Sequence, residues 1–268
     1  MKKIPFILTL FVFTGVMSLI AQTNVYAENA KEGNIGISFE GLVDSNYGVL
    51  DPENPTKKLE PIGEYGKTTG ALRIDFVPSI KFNSNKIVDK DVNYSADALL
   101  FKDVIAPRGQ FIQVSDYRGK QTGWSLQVRQ ETQFTNKNKK ASQLDGAVLS
   151  FDKSWINTPN GTNNEPSVSK EVIRLNNIGE TYTLAKATMG TGGGTWIVAF
   201  GASNDNSAEQ TSTLNPRLDE NGKAVTDSSP NKQAVYMNDA VRLTLPGGTK
   251  KEPGTYSTVL TWIISELP

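Results

Sequence analysis

The chain has 268 residues, in which 28 lysines and arginines balance 28 aspartates and glutamates, so its formal net charge is zero and its pI is about 6.4. This balance argues against nucleic-acid binding, because proteins that grip phosphate backbones carry a basic excess. The absence of histidine and cysteine excludes a Ser-His-Asp or Cys-His nucleophile, a zinc site of the usual ligands and any disulfide.

Residues 1–27 are predicted to be a signal peptide. A basic start at residues 2–3 precedes an apolar stretch over 4–20, and the sequence Val-Tyr-Ala at 25–27 resembles a signal-peptidase site. An uncleaved membrane anchor is the alternative, but a spanning helix needs about 20 apolar residues. We therefore expect a mature chain that begins near Glu28, carries a net charge of −2 and has no later membrane span.

Residues 28–70 are predicted to form a loop-rich segment that packs on the main domain. The segment is rich in Gly, Asn, Pro and acidic residues, and prolines 52, 55 and 61 interrupt it. One short alternating run, Ile35–Phe39, is typical of a strand.

Residues 71–268 are predicted to form a strand-rich domain. Leu72–Phe76 alternates apolar and polar side chains with a period of two, which predicts a half-buried strand that ends before Pro78. Turn-rich segments separate most of the further strand candidates, which are Phe111–Val114, Gly123–Gln130, Ala147–Phe151, Glu171–Leu175, Thr181–Leu184, Thr195–Phe200, Ala240–Leu245 and Thr255–Ser265. The predicted fold is all-β, an antiparallel β-sandwich or barrel-like domain with long loop insertions.

Two segments, Asn157–Ser169 and Ala202–Gln233, are dense in Asn, Ser, Thr, Gly, Pro and Asp and are predicted to be long loops. Loops longer than about 12–15 residues usually carry function or mobility. They are either binding loops or variable surface insertions, and the sequence leaves both interpretations open.

The tryptophan-bearing strands carry the most information about a site. In Gly123–Gln130 the period of two places Trp124, Leu126 and Val128 on one face, which we expect to be the core face. The last predicted strand has Tyr256, Thr258, Leu260, Trp262 and Ile264 on one face, with Val259 and Ile263 on the other. A strand that is apolar on both faces needs cover on both, from the domain or from a partner. Each tryptophan is either a core anchor or a surface for stacking a ligand.

These two strands carry a family resemblance. Gly254–Pro268 resembles the C-terminal signature of the WxL family, and Gly123-Trp124-Ser125-Leu126 resembles its first Trp-x-Leu element. The resemblance extends over Leu72–Pro268. The second element departs from the pattern because it reads Trp262-Ile263-Ile264, with isoleucine in place of leucine, a change that keeps the apolar volume.

The resemblance implies a secreted protein that is retained at the surface of a Gram-positive-type bacterium by non-covalent association with peptidoglycan. It also implies partners in a surface complex, namely WxL-interacting and sortase-anchored proteins. No enzymatic activity, cofactor or metal is expected. The candidate residues for binding the wall or a partner are Trp124, Leu126, Tyr256, Leu260, Trp262 and Ile264.

Two other functions compete with this interpretation. An adhesin would bind a host matrix protein or a polysaccharide through the two long loops. A carbohydrate-active enzyme would need only two carboxylates, but the sequence offers no way to choose a pair. A calcium loop beginning at Asp89 is disfavoured, because its sixth and twelfth positions are Tyr94 and Leu100 where Gly and Glu are needed.

Overall fold

The computed structural model describes residues 30–33, 48–103, 105–161, 163–227 and 232–268. The predicted signal peptide, its cleavage site and the predicted strand Ile35–Phe39 lie outside these ranges. The described residues form strands and turns without a helix, so the all-β prediction is confirmed. The strands are β1 (Ala30–Gly33), β2 (Val49–Asp51), β3 (Asn54–Leu59), β4 (Leu72–Phe76), β5 (Val92–Asp97), β6 (Gln110–Asp116), β7 (Trp124–Gln130), β8 (Thr135–Asn136), β9 (Val148–Phe151), β10 (Ser154–Asn157), β11 (Ser167–Val168), β12 (Ile173–Leu175), β13 (Thr181–Ala187), β14 (Gly194–Phe200), β15 (Leu214–Pro216), β16 (Tyr236–Leu245), β17 (Tyr256–Ser257) and β18 (Leu260–Glu266).

Three antiparallel sheets build the domain. Sheet I has the strand order β1-β18-β7-β13-β11, and sheet II has the order β10-β14-β6-β4. Sheet III has the order β12-β9-β16-β15, and β5 also pairs with β16. Two further pairs stand apart, the hairpin β2–β3 and the short pair β8–β17.

The main core lies where the three sheets meet. Trp124, Leu126 and Val128 of β7 point into it, all with 0% exposure, so the prediction that this face of the strand is the core face is confirmed. Sheet II contributes the alternate residues Trp196, Val198 and Phe200 of β14, and sheet III contributes Phe151 among others. Burial of such large apolar side chains stabilises each by about 1.5–3 kcal/mol, which makes this core the main source of stability.

A second core covers the outer face of sheet II. Phe76 and Phe111 stack there with ring centres 4.7 Å apart, beneath Val49 and Leu59 of the β2–β3 hairpin. All five residues of β4 are consequently buried, so the prediction of a half-buried strand is wrong. The polar Asp75 tolerates burial because its carboxylate accepts hydrogen bonds from Arg73 Nε at 2.7 Å and from the Ser115 hydroxyl at 2.5 Å.

Buried charges attach the β2–β3 hairpin to the domain. Arg108 donates two hydrogen bonds of 2.8 Å to the carboxylate of Asp51 and lies 3.3 Å from that of Glu53. Glu53 also accepts hydrogen bonds from the backbone and hydroxyl of Ser203, at 2.7 and 2.6 Å. Since Asp51 is 1% exposed and Glu53 5% exposed, these pairs are shielded from water.

Several predicted boundaries need correction. The predicted strand Thr255–Ser265 is two strands, because its neighbour β7 ends at Gln130 and β17 pairs with β8 instead. Thr258 marks the break, where its hydroxyl bonds to the carbonyl of Thr132. The two predicted long loops contain β11 and β15, and the segment predicted to be loop-rich contains β2 and β3. These strands are short or proline-containing and lack clear alternation, which is why the pattern did not predict them.

Candidate functional site

An open groove of about 800 Å³ lies between two segments that are distant in sequence. One wall is Pro78–Ile87, which follows β4, and the other is Lys251–Thr258, which leads through β17 toward β18. The floor comes from sheets I and III, through residues such as Leu149 and Trp262. A cavity of this size with an apolar floor is typical of ligand sites.

The structure divides the six predicted binding residues into two groups. Tyr256, Leu260 and Trp262 line the groove, as the shared face of the last strand predicts. The other three, Trp124, Leu126 and Ile264, are 0% exposed in the main core. The first group can touch a ligand, whereas the second can act only by supporting the fold.

The glycine-rich turn before β14 encloses Trp124. The indole N–H of Trp124 donates a hydrogen bond of 2.9 Å to the carbonyl of Gly192. Gly192 has a φ of 77°, and a Cβ there would lie 2.6 Å from the indole nitrogen. Only glycine fits this close approach without strain. Glycine at this position therefore allows the turn to pack directly over the tryptophan.

Hydrogen bonds fix the ring of Tyr256 at the groove. Its hydroxyl lies 2.9 Å from the Ser142 hydroxyl and donates to the carbonyl of Glu252 at 3.1 Å. Burial raises the pKa of the Tyr256 phenol, but hydrogen bonds to its oxygen from Ser142, Asn136 and the backbone N–H of Glu252 outweigh burial, and the pKa falls below its ordinary value. The ring is thereby held in one position as part of the groove wall.

Aromatic side chains supply much of the apolar lining. Trp262 is 7% exposed and packs edge-on against Phe151, with ring centres 6.0 Å apart. Phe82 is half-buried and joins the main core to a smaller cluster formed by Phe134, Leu144, Ala147, Leu243 and Leu245. Sequence reasoning did not select Phe82 as a site residue, because the segment around it has no strand period.

Lysines dominate the charged part of the lining. Lys67, Lys81, Lys86 and Lys251 line the groove, against the two carboxylates of Asp97 and Glu252. The Glu252 carboxylate pairs with Lys139 at 2.9 Å, whose hydrogen bond lowers the pKa of the glutamate. Burial raises the pKa of Asp97, and the positive charges of Arg217 and Lys81 oppose that rise only in part.

The lining of the groove suits a partly apolar ligand. Aromatic faces stack on sugars and apolar groups, and the polar rim can orient them. Among the described residues, no group of three or more acidic side chains could hold a metal ion. The two lining carboxylates both lie near cations, Asp97 with Arg217 at 3.8 Å, so neither stands as an isolated acid.

Fold and groove together define an all-β binding domain. The model of the WxL domain family, which is described as a surface cell wall-binding domain, matches residues 27–268. The chain therefore belongs to the WxL family, and the resemblance drawn from its two tryptophan strands is confirmed. The match begins earlier than the Leu72–Pro268 range on which that resemblance rested.

No curated protein and no solved structure is detectably similar to the chain. None of the described residues belongs to a helix able to cross a membrane.

Proposed function

We propose that this protein is secreted and held non-covalently in a bacterial cell wall by peptidoglycan bound in the groove. Family membership supports the wall as the target. The observation that carries the choice of site is the meeting of Tyr256, Leu260 and Trp262 with Phe82 around one open, apolar-floored groove. Those three residues come from the C-terminal signature, so the signature and the groove coincide.

The buried motif residues position the groove indirectly. Strand β7 pairs with β18 so that Val128 lies opposite Trp262 and Leu126 lies opposite Ile264. Side chains opposite each other on paired strands lie on the same face of the sheet, so the fully buried side chains of β7 fix the position and register of β18, which carries Trp262. Trp124 and Leu126 are therefore supporting residues in this proposal, and Trp262 and Tyr256 are contact residues.

Replacing Phe82 with alanine tests the site. The substitution removes one aromatic wall of the groove, and the loss of one such contact, about 1.4 kcal/mol, corresponds to about tenfold weaker binding. The measurement is co-sedimentation of the purified variant with isolated cell walls over a range of wall concentrations. Ile178→Ala is the matched control, because Ile178 is 44% exposed and lies outside the groove.

Circular dichroism and thermal melting establish that both variants are folded at the binding temperature. Equal wall binding by Phe82→Ala, Ile178→Ala and the unaltered protein would show that the groove does not hold the wall. Failure of the unaltered protein to sediment with walls at all would remove direct binding and leave attachment through a partner.

Membership of a surface complex is the second part of the proposal. Ile263 on the outer face of β18, and Val259 just before that strand, are only partly buried, which leaves apolar surface for a protein contact. The partners proposed are WxL-interacting and sortase-anchored proteins. Their genes should adjoin this one, and co-purification from cell surfaces should recover them; an isolated gene and a protein that purifies alone would argue against a complex.

The adhesin alternative is favoured by one feature, the 54% exposure of Leu218 in the second long segment. If that segment grips host matrix protein or polysaccharide, Leu218→Ser should weaken that binding severalfold without changing wall retention. Solid-phase binding to matrix proteins, run beside the wall assay, makes the comparison. Unchanged matrix binding, or none in the unaltered protein, would exclude this role for Leu218.

A further inference from the structure

We propose that the groove recognises peptidoglycan through the carboxylates of its stem peptides, with Lys67, Lys81 and Lys251 supplying the positive charge. This inference rests on the proposed function and names the part of the polymer that is read. A site for a neutral glycan strand would need stacking surfaces and hydrogen-bonding groups, but it would not need an excess of lysines in its lining.

The charge around the groove contrasts with that of the whole chain. The full chain has equal numbers of acidic and basic residues, whereas the groove lining has four lysines and two carboxylates. Both lining carboxylates are already paired with cations from outside the lining, Glu252 with Lys139 and Lys250, and Asp97 with Arg217. The two carboxylates therefore cancel only part of the positive charge of the lining.

Three of the four lining lysines form no salt bridge in the described ranges, although the charge of Lys81 acts on the Asp97 carboxylate. Lys86 pairs with Glu220 at 2.6 Å. Lys67 instead places its ammonium group 5.9 Å from the ring centre of Tyr65, and Lys81 is exposed. Lys251 donates to the carbonyls of Pro246, Gly247 and Thr249 at 3.1–3.3 Å, which holds its charge in place without neutralising it.

This combination of floor and rim matches the chemistry of a stem peptide. Such peptides carry alanine methyl groups and carboxylates, together with the amino group of a diamino acid, so the methyl groups can contact the apolar floor while the carboxylates contact the lysines. Complementary charge gives specificity and faster association, and it makes binding sensitive to salt. Phosphodiesters of wall teichoic acids are the competing source of negative charge.

Chemical treatment of the wall separates these sources. Cell walls are first treated with hydrofluoric acid, which removes phosphodiester-linked polymers, and half of this peptidoglycan is then amidated with a carbodiimide and methylamine to neutralise its carboxylates. The unaltered protein is expected to bind the acid-treated peptidoglycan as it binds whole walls. Amidation is expected to weaken binding about tenfold or more, since exposed charge pairs contribute about two- to fivefold each.

The outcomes distinguish the two proposals. Binding that survives amidation undiminished would overturn the carboxylate inference and leave peptidoglycan binding standing. Binding that disappears with the hydrofluoric acid treatment would overturn both, because the ligand would then be a phosphodiester polymer.

A pair of charge variants locates the effect in the groove. The double variant that carries Lys67→Gln and Lys81→Gln should bind untreated peptidoglycan about tenfold more weakly than the unaltered protein. Its binding should also depend less on the sodium chloride concentration. Lys57→Gln with Lys120→Gln removes the same charge from exposed sites outside the groove and should change binding less than twofold. Equal losses in the two double variants would show a general charge effect and contradict the assignment.

Discussion

Replacing Trp124 with alanine is expected to lower the free energy of unfolding by about 3–5 kcal/mol, the usual cost of deleting a large aromatic side chain from a packed core. Trp124 is 0% exposed, and its indole fills the space under the Gly192 turn. Urea unfolding followed by far-ultraviolet circular dichroism measures the change. A loss below about 1 kcal/mol would contradict the view that this tryptophan is a core anchor.

Trp124→Phe is the matched control for the hydrogen bond. It keeps an aromatic ring but leaves the carbonyl of Gly192 without the indole donor, and an unsatisfied buried polar group costs about 1–3 kcal/mol. A smaller loss than that of the alanine variant is therefore expected. Wall binding by the folded fraction of Trp124→Phe should equal that of the unaltered protein, because the residue does not line the groove.

Replacing Arg108 with methionine is expected to destabilise the protein by about 3–5 kcal/mol, because it strands the buried carboxylates of Asp51 and Glu53 without their cation. The hairpin β2–β3 should loosen first, since these charged contacts tie it to the domain. Urea unfolding measures the stability, and limited proteolysis measures how readily the hairpin is cut.

Lys102→Met provides the comparison for an exposed pair. Lys102 bonds to Glu60, but the two side chains are 58% and 64% exposed, and pairs of this kind contribute about 0–1 kcal/mol. Equal effects of the two substitutions would show that burial does not set the strength of the Arg108 cluster. Unchanged protease sensitivity of Arg108→Met would show that the hairpin is held by its apolar contacts with Phe76 and Phe111 instead.

Local alternation in the sequence was enough to predict the strands that build the core. The bounds of β4 were predicted without error, and β7 and β14 were predicted to within one residue. Those strands have a clear period of two or a continuous apolar run between turns, and both are local properties of the chain. The family was also accessible from the sequence, because its signature consists of short motifs.

The same alternation correctly predicted three of the side chains that line the groove. It placed Tyr256, Leu260 and Trp262 on one face, and the structure puts all three at the groove. It did not predict Phe82 or the lysines, because Pro78–Ile87 has no regular structure and its position depends on the sheets beneath it. It also placed Trp124 on the core face, where the structure puts it, but it left open whether Trp262 is a core or a surface residue.

The sequence by itself determined that the protein is an all-β chain with a WxL signature and which side chains of each strand share a face. Only the tertiary structure decided which of those faces are covered. The β2–β3 hairpin buries the outer face of β4, and the Gly192 turn closes over Trp124. Trp262, in contrast, lines the groove. The physical reason is that a period of two is set by the backbone of one strand, whereas cover comes from other segments of the chain, such as the Gly192 turn, which lies 68 residues from Trp124.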